Sequence, residues 1–121
     1  MTKILIVDDD RATSTLLRTL FEIEGFVGVV CPKPDEVLNT ARREKPDVVL
    51  MDVHLAEFDS ILILKEIRAD ADLRAVPVVM TSGLDVREKC EANGASAFMQ
   101  KPFKPAELVA LVKRQLAPAK L

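Results

Sequence analysis

Val48-Val49-Leu50-Met51 runs without a polar interruption straight into Asp52. A short unbroken run of β-branched and aliphatic residues is the pattern of a strand buried on both faces, not of one that alternates between core and solvent. Lys3-Ile4-Leu5-Ile6-Val7 repeats the pattern and closes on Asp8-Asp9-Asp10, and Val78-Val79-Met80 closes on Thr81 and Ser82. Strands buried on both faces need cover on both sides. A parallel sheet with crossover helices supplies it, and the C-terminal strand ends of such a sheet open into the crevice where ligands bind. A carboxylate at that rim either meets solvent or binds something.

The intervening segments supply the helices. Leu16, Leu17, Leu20 and Phe21 recur at helical spacing and predict one apolar stripe on a helix over 11–23. The acidic triplet suits that helix's positive end, and Gly25 terminates it. A strand over 26–30 follows. Pro32 and Pro34 then punctuate, and a helix over 35–43 turns Val37, Leu38 and Ala41 inward until Pro46 stops it. After Asp52 a loop spans 53–59. The helix over 60–68 carries Ile61-Leu62-Ile63-Leu64, more than one face of a surface helix can bury. Leu62 is therefore expected to be partly exposed, and the surplus at Ile61 and Leu62 points to a contact surface. A strand over 78–81 precedes a short helix over 86–92 that ends at Asn93-Gly94. The strand over 95–99 is less apolar and is expected at a sheet edge. Pro105 opens the last helix, 106–116, with Leu108, Leu111 and Val112 inward. Five β-α units in strict alternation predict one α/β domain over 1–121, a doubly wound five-stranded parallel sheet with helices on both faces.

Charge and hydropathy exclude several functions. A net charge of -2 over 121 residues leaves no basic footprint for nucleic acid. No apolar run approaches the roughly 20 residues of a membrane helix. Met1-Thr2-Lys3-Ile4 enters a strand at once, so no signal peptide is expected and the location is expected to be cytoplasmic. Cys31 and Cys90 fit no metal-ligand spacing and read as reduced, partly buried thiols.

If the strands are parallel, Asp8, Asp9, Asp10, Asp52, Thr81, Ser82 and Lys101 meet at one edge. Crowded carboxylates raise one another's pKa, and a divalent cation relieves the repulsion. Oxygen ligands with an incomplete protein shell suit Mg²⁺, which keeps waters and shares positions with a phosphate. Lys101 adds a second positive charge and Thr81 a hydroxyl donor, the equipment of phosphoryl transfer. The nucleophile is then a carboxylate, giving an aspartyl phosphate. Each residue alone is weak evidence, since acids after a first strand often only cap a helix. The weight lies in four strand ends with mutually compatible chemistry.

Ile6-Val7-Asp8-Asp9-Asp10, Pro46-Asp47-Val48-Val49-Leu50-Met51-Asp52, Pro77-Val78-Val79-Met80-Thr81-Ser82, and Gly94-Ala95 followed by Phe98 and Lys101-Pro102-Phe103 together resemble the receiver domain of two-component response regulators, the CheY-like superfamily. The resemblance covers essentially the whole chain. It implies the flavodoxin-like strand order 2-1-3-4-5. It implies Asp52 as phosphoacceptor, Lys101 as the active-site lysine, Thr81 as the switch hydroxyl and Phe98 as the switch aromatic. Mg²⁺ would be held by Asp8, Asp9, Asp52 and the backbone carbonyl of His54. The implied phosphodonor is a histidine kinase or a histidine phosphotransfer protein. The implied output is a downstream protein target or an effector domain, with a phosphorylation-linked dimer admitted and no direct nucleic-acid or membrane binding by this domain. Such a chain is not an enzyme but promotes its own phosphorylation and dephosphorylation.

The sequence departs from the family at Leu55, Ala56 and Ser60, where Met-Pro and a later Gly are usual. That predicts a less constrained loop around His54. Phe98 lacks a phenolic hydroxyl. His54 is the only histidine. Its imidazole either hangs over the acyl phosphate and tunes hydrolysis, or is an exposed loop side chain whose backbone alone matters. Two other readings stay open. Asp8-Asp9-Asp10 loosely resembles the Asp-x-Asp nucleophile motif of haloacid-dehalogenase-type phosphatases, although Ala12 stands where Thr or Val is expected and no cap domain fits. The chain could also be a phosphate-independent interaction module of receiver fold.

Overall fold

The computed structural model describes residues 1–31 and 33–116. The elements run β1 (Lys3–Val7), α1 (Arg11–Ile23), β2 (Val27–Val30), a 3₁₀ turn (Pro34–Glu36), α2 (Val37–Glu44), β3 (Val48–Asp52), β4 (His54–Leu55), β5 (Phe58–Asp59), α3 (Ser60–Ala69), β6 (Val78–Ser82), α4 (Arg87–Ala92), β7 (Ala97–Gln100) and α5 (Pro105–Leu116). The main sheet has the order β2-β1-β3-β6-β7, and every pairing in it is parallel. With the two-residue strands β4 and β5 set aside, this is the predicted 2-1-3-4-5 order.

The three central strands bury both faces, as their composition requires. Leu5, Val7, Val49, Met51, Val78 and Met80 belong to a core shared with Val37 and Ala41 of α2 and Leu64 and Ile67 of α3. Their alternates Ile4, Ile6, Val48, Leu50 and Val79 face Leu17 and Phe21 of α1 and Leu108 and Val112 of α5. Strand periodicity of two thus divides one apolar run between two cores.

Several expectations need correction. Leu16 is 69% exposed, so it is not part of the inward stripe. Ser14, Leu17 and Phe21 take the sheet-facing positions, and Leu16 sits about 100° round the helix from Leu17. The second helix starts as the 3₁₀ turn and becomes regular only at Val37. Thr40 is buried beside Val37 and Ala41, while Leu38 is only half-buried. The last strand begins at Ala97 rather than Ala95. Gly94, at φ +108°, and Ala95 are taken up in closing α4, with the Ala95 N–H on the Cys90 carbonyl at 3.0 Å. Its predicted edge position holds. Cys31 and Cys90 are free and buried, Cys90 completely. Gly25, at φ +87°, ends α1 as expected, with the Phe26 N–H returning 2.9 Å to the Phe21 carbonyl. Ile61 is buried, and the surplus apolar surface of α3 reduces to Leu62, 53% exposed. Pro32 and the tail after Leu116 lie outside the described residues.

The 53–59 segment is more constrained than Leu55, Ala56 and Ser60 suggest. His54 pairs with Asp59 and Leu55 with Phe58 in an antiparallel ladder. Leu55 is fully buried, Ser60 donates its hydroxyl to the Val53 carbonyl, and Ala56 turns the chain at φ +53°. Asp59 caps α3 by accepting from the N–H groups of Ile61 and Leu62, each at 3.1 Å. A hydrogen-bonded hairpin does the work that Pro and Gly would have done.

Candidate functional site

The parallel register brings the predicted strand-end residues together. Asp52 ends β3 and lies opposite Thr81 on β6. The Lys101 Nζ donates to Asp52 Oδ2 at 2.9 Å and lies 3.8 Å from Asp8 Oδ2. The Lys101 backbone N–H is fixed on the Ser82 carbonyl at 2.7 Å, and its bond to Pro102 is cis. The His54 N–H donates to Asp52 Oδ1 at 3.0 Å, so both carboxylate oxygens are oriented. The Asp52 side chain is 11% exposed, a shallow rather than sealed position.

The acidic triplet divides its labour. Asp10 is the N-cap of α1, accepting from the Ala12 N–H at 3.1 Å and the Thr13 hydroxyl at 2.7 Å. The Thr13 hydroxyl and Ala12 N–H hold its carboxyl below the usual range. Asp9 is exposed. Asp8 turns inward, and its Oδ1 accepts from the Asp10 N–H at 2.9 Å. Burial pushes the Asp8 carboxyl up; the Asp10 N–H and Lys101 oppose this, while Asp52 and Asp9 add to it. Burial alone would lower the Lys101 ammonium, but its hydrogen bond to Asp52 and the charges of Asp52, Asp8 and Asp10 outweigh that and raise it. Lys101 is therefore a held, protonated cation.

Among the described residues no three His, Cys, Asp or Glu side chains gather closely enough to enclose a metal by themselves. The donor chemistry nevertheless suits a cation. Asp8, Asp9 and Asp52 bring three negative charges to one rim against the single charge of Lys101, and the three carboxylates are hard oxygen donors. Asp8 is held at a cost that positive charge would relieve. Without Mg²⁺, Asp8→Asn is therefore expected to raise the melting temperature at neutral pH, by roughly 4 °C per kcal/mol of relief in a domain of this size. The sign follows from linkage. Folding disfavours ionised Asp8, so its penalty is present above its folded pKa and fades as pH falls through that value toward the unfolded one. Melts across pH in a chelator should show Asp8→Asn losing its advantage toward acid. A variant that melts lower at neutral pH would refute the crowding argument.

Two contacts were not visible in the sequence. The His54 Nε2 lies 2.9 Å from the Ser82 Oγ, and that oxygen also accepts from the Leu84 N–H at 3.0 Å. The imidazole is thereby tied across the ends of β3 and β6. Phe98 is buried, and the Arg87 guanidinium sits 5.5 Å from its ring centroid. Only the spacing of α4 against β7 in three dimensions makes that pair.

The family model described as "Response regulator receiver domain" matches residues 4–113. This chain belongs to that family. The receiver is 37% identical over 118 residues to the DNA-binding response regulator MtrA of Mycobacterium tuberculosis, covering 94% of this chain and 50% of MtrA. It is 29% identical over 123 residues to the polar-differentiation response regulator DivK of Brucella ovis, covering 98% of this chain and 100% of DivK. The chain thus spans about half the length of the first curated relatives it matches and the full length of DivK. Among solved structures, it is similar to the receiver domain of the sensor histidine kinase PA1611 from Pseudomonas aeruginosa PAO1, with TM-score 0.85, 27% identity and coverage of 95% and 97% of the two chains. That structure carries a magnesium ion coordinated in its active-site cleft. The chain is a receiver domain of two-component response regulators, and no helix among the described residues is long and apolar enough to cross a membrane.

Proposed function

We propose that residues 1–121 form one receiver that accepts a phosphoryl group on Asp52 from a phosphohistidine of a histidine kinase or phosphotransfer protein. The observation that carries this reading is the ammonium of Lys101 fixed 2.9 Å from one oxygen of a carboxylate whose other oxygen holds a backbone N–H. An Asp52 oxygen attacks phosphorus as the P–N bond to the donor imidazole breaks, and the electron pair leaves on that nitrogen. Lys101 then neutralises phosphoryl oxygens as charge spreads over them. Asp8, Asp9, Asp52 and the His54 backbone carbonyl would hold Mg²⁺. When bound, that ion supplies charge neutralisation and in-line orientation of the phosphoryl group.

Thr81, directly beside Asp52 in the sheet, is the hydroxyl that turns to the new phosphoryl group. Phe98, one strand further and in register with Met80, follows into the space that opens. The signal reaches the α4-β7-α5 face, where a downstream protein, an effector domain or a second phosphorylated receiver would engage. The domain itself contacts neither nucleic acid nor membrane, acts in the cytoplasm, and is an acceptor rather than an enzyme that turns over a substrate. The test uses acetyl phosphate as donor. The chain should gain one phosphoryl group by intact mass with Mg²⁺ present and none in excess chelator. A chain that binds Mg²⁺ but never gains mass would point instead to a phosphate-independent module.

A further inference from the structure

A groove of roughly 300 Å³ lies between the 3₁₀ turn with α2 on one side and β5 with α3 on the other. Leu38, Phe58 and Leu62 line its apolar wall, and Asp35, Asp59 and Glu66 stand at its rim. Among the described residues no lysine or arginine lines it. Leu38 and Phe58 are half-buried and Leu62 is 53% exposed. The three side chains make one apolar wall open to solvent. Among the described residues none of the three rim carboxylates enters an ion pair.

We propose that this groove docks a cationic amphipathic segment of a partner protein, an apolar side chain seated beside Leu62 and flanking Lys or Arg residues meeting Asp35, Asp59 and Glu66. The apolar wall with exposed Leu62 asks for an aliphatic or aromatic anchor, the helix-in-groove mode. A rim of carboxylates with no ion-pair partner among the described residues selects the sign of what flanks that anchor. The same rim argues against a second copy of this chain. A two-fold contact would bring each groove against its equal and set three carboxylates against three. Asp52 does not line the groove, and the proposal does not rest on phosphoryl transfer, so failure of either reading leaves the other in place.

The probe is a fluorescein-labelled amphipathic Leu/Lys helix, with the same helix carrying Glu for Lys as control, titrated against the full chain by anisotropy. Amide shifts in two-dimensional NMR locate the contact. The Leu/Lys helix should bind, shift the amides of Leu38, Phe58 and Leu62, and weaken as salt rises, while the Leu/Glu helix should not bind. Leu62→Ser should lower its affinity about tenfold, the scale of one truncated anchor. Glu66→Gln, an exposed and conservative change, should lower it less and flatten the salt dependence. Both positions are solvent-facing, and unchanged melting curves certify the fold. Equal affinity in Leu62→Ser would overturn the proposal, as would shifts confined to Asp8, Asp9 and Asp52. Sedimentation showing that the unliganded chain self-associates, and that Leu62→Ser abolishes this, would assign the face to a second copy instead.

Discussion

Asp52→Ala is expected to keep the mass of the unmodified chain after incubation with acetyl phosphate and Mg²⁺, while the parent gains one phosphoryl group. The effect should be all or none, because no neighbouring acid can take over. Asp10 spends its carboxylate capping α1, on the Ala12 N–H and the Thr13 hydroxyl. Asp8 gives one oxygen to the Asp10 N–H and has its pKa raised by burial. Asp9 is exposed, with no Lys101 contact. Asp52 alone ends a central strand with one oxygen on an ammonium and the other on a backbone N–H. A nucleophile needs that orientation more than it needs basicity, since phosphoryl transfer is governed by positioning and charge. Folding should survive, because the change removes one carboxylate from a crowded rim. Phosphate incorporated by Asp52→Ala would sink the assignment. Steady turnover of an aryl phosphate by the parent would reopen the phosphatase reading.

The convergence of the candidate site residues was legible from the sequence because those residues are its punctuation. Asp8, Asp52 and Thr81 each interrupt or end an unbroken apolar run, and parallel pairing forces such ends to one edge. The two-core division of β1, β3 and β6 was legible for the same reason: runs with no alternation can only be covered twice. What escaped depended on direction. Leu16 and Leu17 are equally apolar, and only the rotation of α1 against the sheet decides which is wetted. The β4–β5 ladder escaped because its two-residue strands carry too few positions for any period. The His54–Ser82 and Arg87–Phe98 pairs escaped because each joins residues that sequence spacing alone does not bring near. Arg68 escaped most completely, since a helix-terminal arginine reads as solvated charge.

Arg68→Met is expected to destabilise the domain by about 2–4 kcal/mol, the sum of several modest hydrogen-bond losses and the stranding of their acceptors. Arg68 Nε donates to the Gly94 carbonyl at 2.7 Å. Its Nη1 donates to the carbonyls of Val76 at 2.7 Å and Arg74 at 3.1 Å, and its Nη2 reaches the Ser96 Oγ at 3.2 Å. One planar fork thus ties α3 to the turn before β6 and the turn before β7. Ser96 carries the tie onward, its Oγ accepting from the Val78 N–H at 3.1 Å. Among the described residues Arg68 has no carboxylate partner, and burial lowers its pKa. Two effects therefore oppose each other. If desolvation of the unpaired guanidinium dominated, the neutral Met would stabilise. Four neutral acceptors held by backbone geometry outweigh it here, since the guanidinium is only half-buried and keeps part of its hydration. Chemical denaturation should show a lower midpoint with an unchanged slope. A midpoint at or above that of the parent would mean desolvation wins. Gly94 supplies an independent check. A Cβ there would lie 2.7 Å from the Arg68 Cγ, on top of the strain of φ +108°. Gly94→Ala should cost less in an Arg68→Ala background than in the parent, because one of its two penalties is gone.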